Sequence, residues 1–161
     1  MFVGLPPFQQ LVDAHWRDVA RLAAAMAGPR EGDDVAQEAW VRALRAYPSL
    51  THAGNLRSWL LTITAHTALD AQRSRARRDL AAARPPEPAA DLAPLRDERL
   101  WEGVRALPAR QRQAVVLHYV GGLAHTEVAR ALETTPAASR RLVSDALATL
   151  RKVLGTGPEE G

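Results

Sequence analysis

Asn55, Ser58, Thr62, His66, Arg73 and Arg77 recur at intervals that, at about 100° per residue, place them on one stripe of a helix. The stripe starts with hydrogen-bonding groups and turns cationic toward its C-terminal end. Such a gradient suits a nucleic-acid strand, with polar groups capturing bases and arginines holding phosphates. It also describes a solvated helix end whose cations complement the macrodipole. A second group, Asp33, Asp34 and Glu38, has three readings: a carboxylate or metal site, a helix start stabilised by its dipole, or an acidic face for a partner. A third group, Ser139, Arg140 and Arg141, opens the last apolar-periodic segment, with Thr126 and Thr135 upstream. In a helix-turn-helix these positions reach base edges and phosphates, whereas in an ordinary three-helix bundle they are surface. Asp145 opposes DNA if it faces the backbone, because like charge repels phosphate.

Enzymatic chemistry finds no comparable support. The chain has no Gly-rich phosphate loop, no GxSxG and no HExxH, and Gly121-Gly122 lacks a following Lys-Ser or Lys-Thr. His15, His52, His66, His118 and His125 are scattered without ligand spacing, and the absence of cysteine removes disulfides, thiolate nucleophiles and cysteine-ligated metals. No catalytic residue, cofactor or metal site is therefore expected. Tryptophan can stack on bases, but Trp16, Trp40 and Trp101 lie on apolar stripes and are expected in the core. Trp59 lies at the border between core stripe and polar stripe.

The elements that must position these groups read as helices throughout. Phe8, Leu11, Val12, Trp16, Val19, Leu22, Ala23 and Met26 form one apolar stripe, ended by Gly28-Pro29. A second helix starts near Glu31 with Ala36, Trp40, Ala43, Leu44 and Tyr47 inward, and stops at Pro48. After a loop over 48–55, Leu56, Trp59, Leu60, Ile63 and Thr67 mark a third helix running toward Arg78. Further along, Leu100, Trp101, Val104 and Leu107 indicate a helix, Pro108 begins the next with Val115, Val116, Tyr119 and Val120, and Gly121-Gly122 ends it. A short helix with Val128, Ala129 and Leu132 leads through the turn Glu133-Thr134 to Thr135 as N-cap of a last helix, with Val143, Ala146, Leu147, Leu150 and Leu154 inward. Short helix, tight turn and longer helix make a helix-turn-helix pattern. With no strand-like alternation, the fold is expected to be all-α.

Between the two groups of helices lies ARPPEPAADLAP (83–94), which holds four of the eleven prolines and no apolar periodicity. Residues 1–80 and 98–155 are therefore expected as two small helical domains, 81–97 as a flexible acidic linker and 156–161 as a disordered tail. A chain of 161 residues with 47% hydrophobic content supports two small domains of this kind and no large catalytic scaffold. The net charge of +3 conceals its distribution: residues 1–78, 79–98 and 99–161 carry +3, −3 and +3. The opening MFVGLPPFQQLVD lacks a basic start and apolar run, and no window approaches the roughly 18 apolar residues of a membrane span. A soluble, cytoplasmic protein without membrane insertion is expected.

DDVAQEAWVRAL (33–44) followed by NLRSWLLTITAHTALDAQRSRARR (55–78) resembles the second conserved region of the extracytoplasmic-function (ECF) sigma factors of the sigma-70 family. LPARQRQAVVLHYVGGLAHTEVARAL (107–132) is similar to the start of that family's fourth region. The resemblance implies a three-helix region 2 that grips the β′ clamp helices of RNA polymerase and melts the minus-ten element. It also implies a region 4 that docks on the β flap and reads the minus-thirty-five element, a linker that threads toward the active-site cleft, and regulation by an anti-sigma factor. Asp34, Gln37, Glu38 and Arg42 fall on the polymerase-binding helix. Asn55 falls where a flipped base is captured, and Arg57, Trp59, Thr62, His66, Arg73 and Arg77 fall along single-stranded minus-ten DNA. Thr126, Thr135, Ser139, Arg140 and Arg141 fall on the minus-thirty-five side. The alternative is a sigma-like interaction protein without productive promoter recognition. It is motivated by departures from the family pattern at Glu133, Thr134, Ser139, Asp145 and Leu147, where glycine, apolar, apolar, basic and basic residues are usual.

Overall fold

A computed structural model describes residues 4–51, 54–82 and 98–155. The chain divides into two compact units, Met1–Ala90 and Asp91–Gly161, and every element assigned among the described residues is helical. The linker expected over 81–97 lies outside the described residues from 83 onward, as does the expected tail.

In the first unit, α1 (Phe8–Ala46) is broken at Gly28, whose φ of 84° and ψ of 165° lie in a region that only glycine enters readily. Pro29 follows and cannot donate a helical hydrogen bond, so the chain makes two arms where the sequence indicates two helices. The arms approach closely at Gly32: a Cβ there would lie 2.9 Å from the Ala24 Cα. A 3-10 turn (Tyr47–Ser49) ends the second arm at Pro48, and α2 (Leu56–Ala82) packs across both arms. Leu11, Val19, Leu22 and Ala23 of the first arm, Val35, Ala39 and Ala43 of the second, and Leu60, Leu61, Ala65, Ala68 and Leu69 of α2 form the core. At one end of this core the residues are small, with Ala23, Val35 and Ala68 in one cluster. Elsewhere Phe8 meets Trp40 and Tyr47 edge-on at 6.1 and 5.2 Å, Trp59 lies 6.2 Å from Tyr47, and the Tyr47 hydroxyl donates to the Pro6 carbonyl.

The second unit contains α3 (Glu98–Ala106), α4 (Ala109–Tyr119), α5 (His125–Ala131) and α6 (Pro136–Gly155). Pro108, expected as the first residue of this helix, sits at its N-cap position instead, so α4 starts one residue later, at Ala109. Thr135 Oγ1 accepts the Ala138 amide at 3.1 Å, as an N-cap should. Val104, Leu107, Leu117, Leu123, Val128, Leu132, Val143, Ala146 and Leu150 are buried around α6.

Three side chains expected inside are outside. Trp16 is 51% exposed, Leu44 54% and Tyr119 60%. Trp16 and Leu44 sit at the edge of their apolar arcs, where one helix position decides between core and water. The Arg17 guanidinium covers the Trp16 ring from 5.3 Å, a cation–π contact suited to an exposed aromatic.

Glu133, in the turn between α5 and α6, has a φ of 55°, which costs a residue bearing a Cβ about 1 kcal/mol or more. Glu133→Gly is expected to stabilise the second unit by about 1 kcal/mol, measured by chemical denaturation. Unchanged stability would mean that the turn relaxes without glycine.

Candidate nucleic-acid and partner interfaces

The second arm of α1 turns Asp33, Asp34, Gln37, Glu38 and Val41 outward while Val35, Ala39 and Ala43 face the core. Arg42 is placed differently. Its Nη1 donates to Asp70 Oδ2 of α2 at 2.8 Å and its Nε to Glu38 Oε1 at 3.3 Å. The hydrogen bond to Asp70 is the main cause of its raised pKa, opposed by burial and reinforced by Glu38. Arg42 is thus a brace between α1 and α2, so of the residues expected on the polymerase face Asp34, Gln37 and Glu38 face outward, beside the exposed Asp33.

The stripe on α2 is exposed at its basic end and structurally engaged at its polar end. Asn55 Oδ1 accepts the Ser58 amide at 2.9 Å, the geometry of an N-cap, from an exposed position. Ser58 itself is buried, and its carbonyl accepts the Thr62 hydroxyl at 2.8 Å. Arg57 Nε pairs with Asp18 Oδ2 of the first arm at 3.1 Å, tying α2 to α1. Trp59 and His66 are half-buried. Arg73 is 60% exposed, with Asp70 Oδ1 3.9 Å away, and Arg77 is exposed.

In the second unit Thr126, Thr135, Arg140 and Arg141 are exposed, whereas Ser139 is fully buried and cannot reach a nucleic acid. Its hydroxyl lies 3.0 Å from His125 Nδ1. The helical register explains this correction, because Ser139 lies four residues before buried Val143 and takes the position of an apolar core residue. Arg141 Nε is 4.0 Å from Asp145 Oδ2, but the two side chains are 86% and 55% exposed, so solvent screens the pair and leaves the guanidinium available. Asp18, Asp70 and His125 are the positioning residues that the sequence does not single out, since each acts through a partner on another helix. Among the described residues no group of three or more His, Asp or Glu side chains is placed to share a metal ion, and no helix is long and apolar enough to cross a membrane.

The fold and these surfaces define a two-unit all-α protein with a helix-turn-helix in its second unit. Residues 11–78 match the family model for Sigma-70 region 2, and residues 97–150 match that for Sigma-70, region 4. The chain is 33% identical over 133 residues to the ECF RNA polymerase sigma factor SigK of Mycobacterium tuberculosis, covering 76% of this chain and 71% of that one. It is 28% identical over 159 residues to the ECF RNA polymerase sigma factor BldN of Streptomyces coelicolor, covering 91% and 60%. It spans only 34% of the Xanthomonas campestris protein RfaY, at 34% identity over 134 residues and 76% of this chain. In fold it is similar to the sigma factor RpoE of Bartonella quintana, solved with the anti-sigma factor NepR, at a TM-score of 0.78 and 20% identity over 94% of this chain and 98% of that one. The chain belongs to the ECF sigma factors of the sigma-70 family.

Proposed function

We propose that this protein is a promoter-specificity subunit of RNA polymerase, acting in the cytoplasm without catalysis of its own. In this reading Asp34, Gln37 and Glu38 face the β′ clamp helices, and α2 holds melted minus-ten DNA with Asn55 and Trp59 near the flipped base. Arg73 and Arg77 then hold the phosphates. Base flipping costs a few kcal/mol per base and must be offset by such contacts. The second unit docks on the β flap, with Thr126, Thr135, Arg140 and Arg141 toward minus-thirty-five DNA, and an anti-sigma factor covers these faces when the protein is inactive. The observation that supports the reading best is the pairing of two charged faces on one unit: acidic on α1, basic at the exposed end of α2.

A second reading, a sigma-like protein that binds polymerase or an anti-sigma factor without promoter recognition, draws on the burial of Ser139 and on the exposed Asp145 carboxylate of α6, whose charge repels phosphate. Run-off transcription with core polymerase separates the two. Promoter-dependent product supports the first reading, and core binding without product supports the second. Under the first, Glu38→Ala is expected to lower core affinity roughly threefold to tenfold and to leave promoter opening by the assembled holoenzyme unchanged. Titration of labelled protein against core polymerase checks this, and an unchanged affinity would remove Glu38 from the polymerase face.

A further inference from the structure

The second unit contains a polar cluster at the junction of three helices. The rings of His118, on α4, and His125, on α5, are stacked with centroids 4.3 Å apart and planes 15° apart. His118 Nδ1 lies 2.8 Å from the Leu123 carbonyl, which can only accept, so Nδ1 carries the hydrogen. The Tyr119 ring meets His118 edge-on at 4.9 Å. His125 Nδ1 meets the hydroxyl of fully buried Ser139 at 3.0 Å, and the residue after Ser139 on α6 is the exposed Arg140.

We propose that His125 is a positioning residue of the helix-turn-helix: its neutral ring ties α6 to α5 through Ser139, and protonation of the ring reverses that hydrogen bond and sets an imidazolium beside Arg140, shifting the start of α6 and with it the presentation of Arg140 and Arg141. The buried hydroxyl needs a partner, and a neutral ring with a bare Nδ1 accepts its hydrogen. Protonated, Nδ1 becomes a donor to the hydroxyl oxygen, so the bond reverses and the buried hydroxyl must find another acceptor for its own hydrogen. The imidazolium would also stand in a cationic setting. Facing it are His118 from α4 and Arg140 from α6, whereas Glu127 on α5 is occupied by the Ala124 amide at 2.8 Å. Burial first, then His118 and Arg140, hold the His125 pKa below its ordinary value. The folded protein therefore binds fewer protons here than the unfolded chain. The resulting stability is present above the unfolded value of about 6.5 and is lost as pH falls through it toward the folded value.

The link to DNA rests on the reading of α6 given above, and the test separates the two. In the full-length protein, an NMR titration should show the Ser139 amide and Arg140 side-chain signals moving with the His125 ring, at a midpoint below that of a free histidine. His125→Phe, which keeps a stacked ring without a titratable nitrogen, should flatten both. Affinity for a short mixed-sequence DNA duplex should fall at least about threefold from about pH 7.5 to about pH 5.5 in the parent and not in His125→Phe. Ser139 and Arg140 signals that stay fixed through the His125 titration would overturn the proposal in the unsubstituted protein. An affinity that rises on acidification would do so as well, because it would make His125 a phosphate contact. A parent that binds no duplex at any pH, with the NMR linkage intact, would leave the helix junction as proposed and remove DNA from α6.

Discussion

Arg73→Ala combined with Arg77→Ala is expected to slow promoter opening roughly tenfold or more while core-polymerase affinity stays within about twofold. The two side chains lie one helical turn apart on the exposed end of α2, on the stripe that begins at Asn55. Arg73 has Asp70 only at 3.9 Å, with both groups more than half exposed, so solvent screens that pair strongly and leaves the guanidinium available to phosphate. Arg57 behaves differently, because its removal would take from Asp18 the partner that ties α1 to α2 and loosen the two helices. A loss of activity in Arg57→Ala would therefore mix DNA contact with folding. In the Arg73/Arg77 pair the two can be separated. Two lost phosphate contacts on single-stranded DNA should reduce the salt slope of opening by about 1.4, a signature that a folding defect does not produce. Permanganate footprinting of the minus-ten region across a salt series measures both quantities. An equal loss of core affinity would show that this end of α2 faces the polymerase.

What could be read from sequence was local. The break at Gly28-Pro29 and the Thr135 cap each depend on a few adjacent residues whose backbone preferences are strong, whereas the positive φ of Glu133 runs against the preference of its residue type. The polar stripe of α2 was legible for the same reason, as a helical period needs no knowledge of neighbours. The braces were not. Arg42 meets Asp70 across 28 positions and Arg57 meets Asp18 across 39, and in a single sequence each arginine looks like a surface cation available to a partner. Ser139 shows the converse error. A serine beside two arginines at the start of a helix reads as a DNA contact, until packing places it inside and gives its hydroxyl to His125. Trp16, Leu44 and Tyr119 fail at the edges of apolar arcs, where periodicity gives a direction and the partner helix decides how far burial extends.

Gly32→Val is expected to destabilise the first unit by about 3 kcal/mol or more and to lose polymerase binding with it. Helix propensity argues the other way, since glycine inside a helix costs about 1 kcal/mol relative to alanine and a substitution would recover part of that. The geometry outweighs it. A Cβ at position 32 would lie 2.9 Å from the Ala24 Cα, 3.1 Å from its nitrogen and 3.4 Å from the Ala23 carbonyl carbon, all backbone atoms that cannot rotate away. Relief requires the two arms of α1 to separate where Ala23, Val35 and Ala68 already close the core with small side chains. Separation opens a cavity at that end and swings the arm that carries Asp34, Gln37 and Glu38. Chemical denaturation followed by tryptophan fluorescence reads this unit well, because Trp16, Trp40 and Trp59 belong to it and only Trp101 to the second. Gly32→Ala should show a smaller loss of about 1–3 kcal/mol, with the second unit's transition unmoved in both variants. An alanine variant as stable as the parent would mean that the arms part at little cost, and that the close approach at Gly32 does not set the direction of the partner-facing arm.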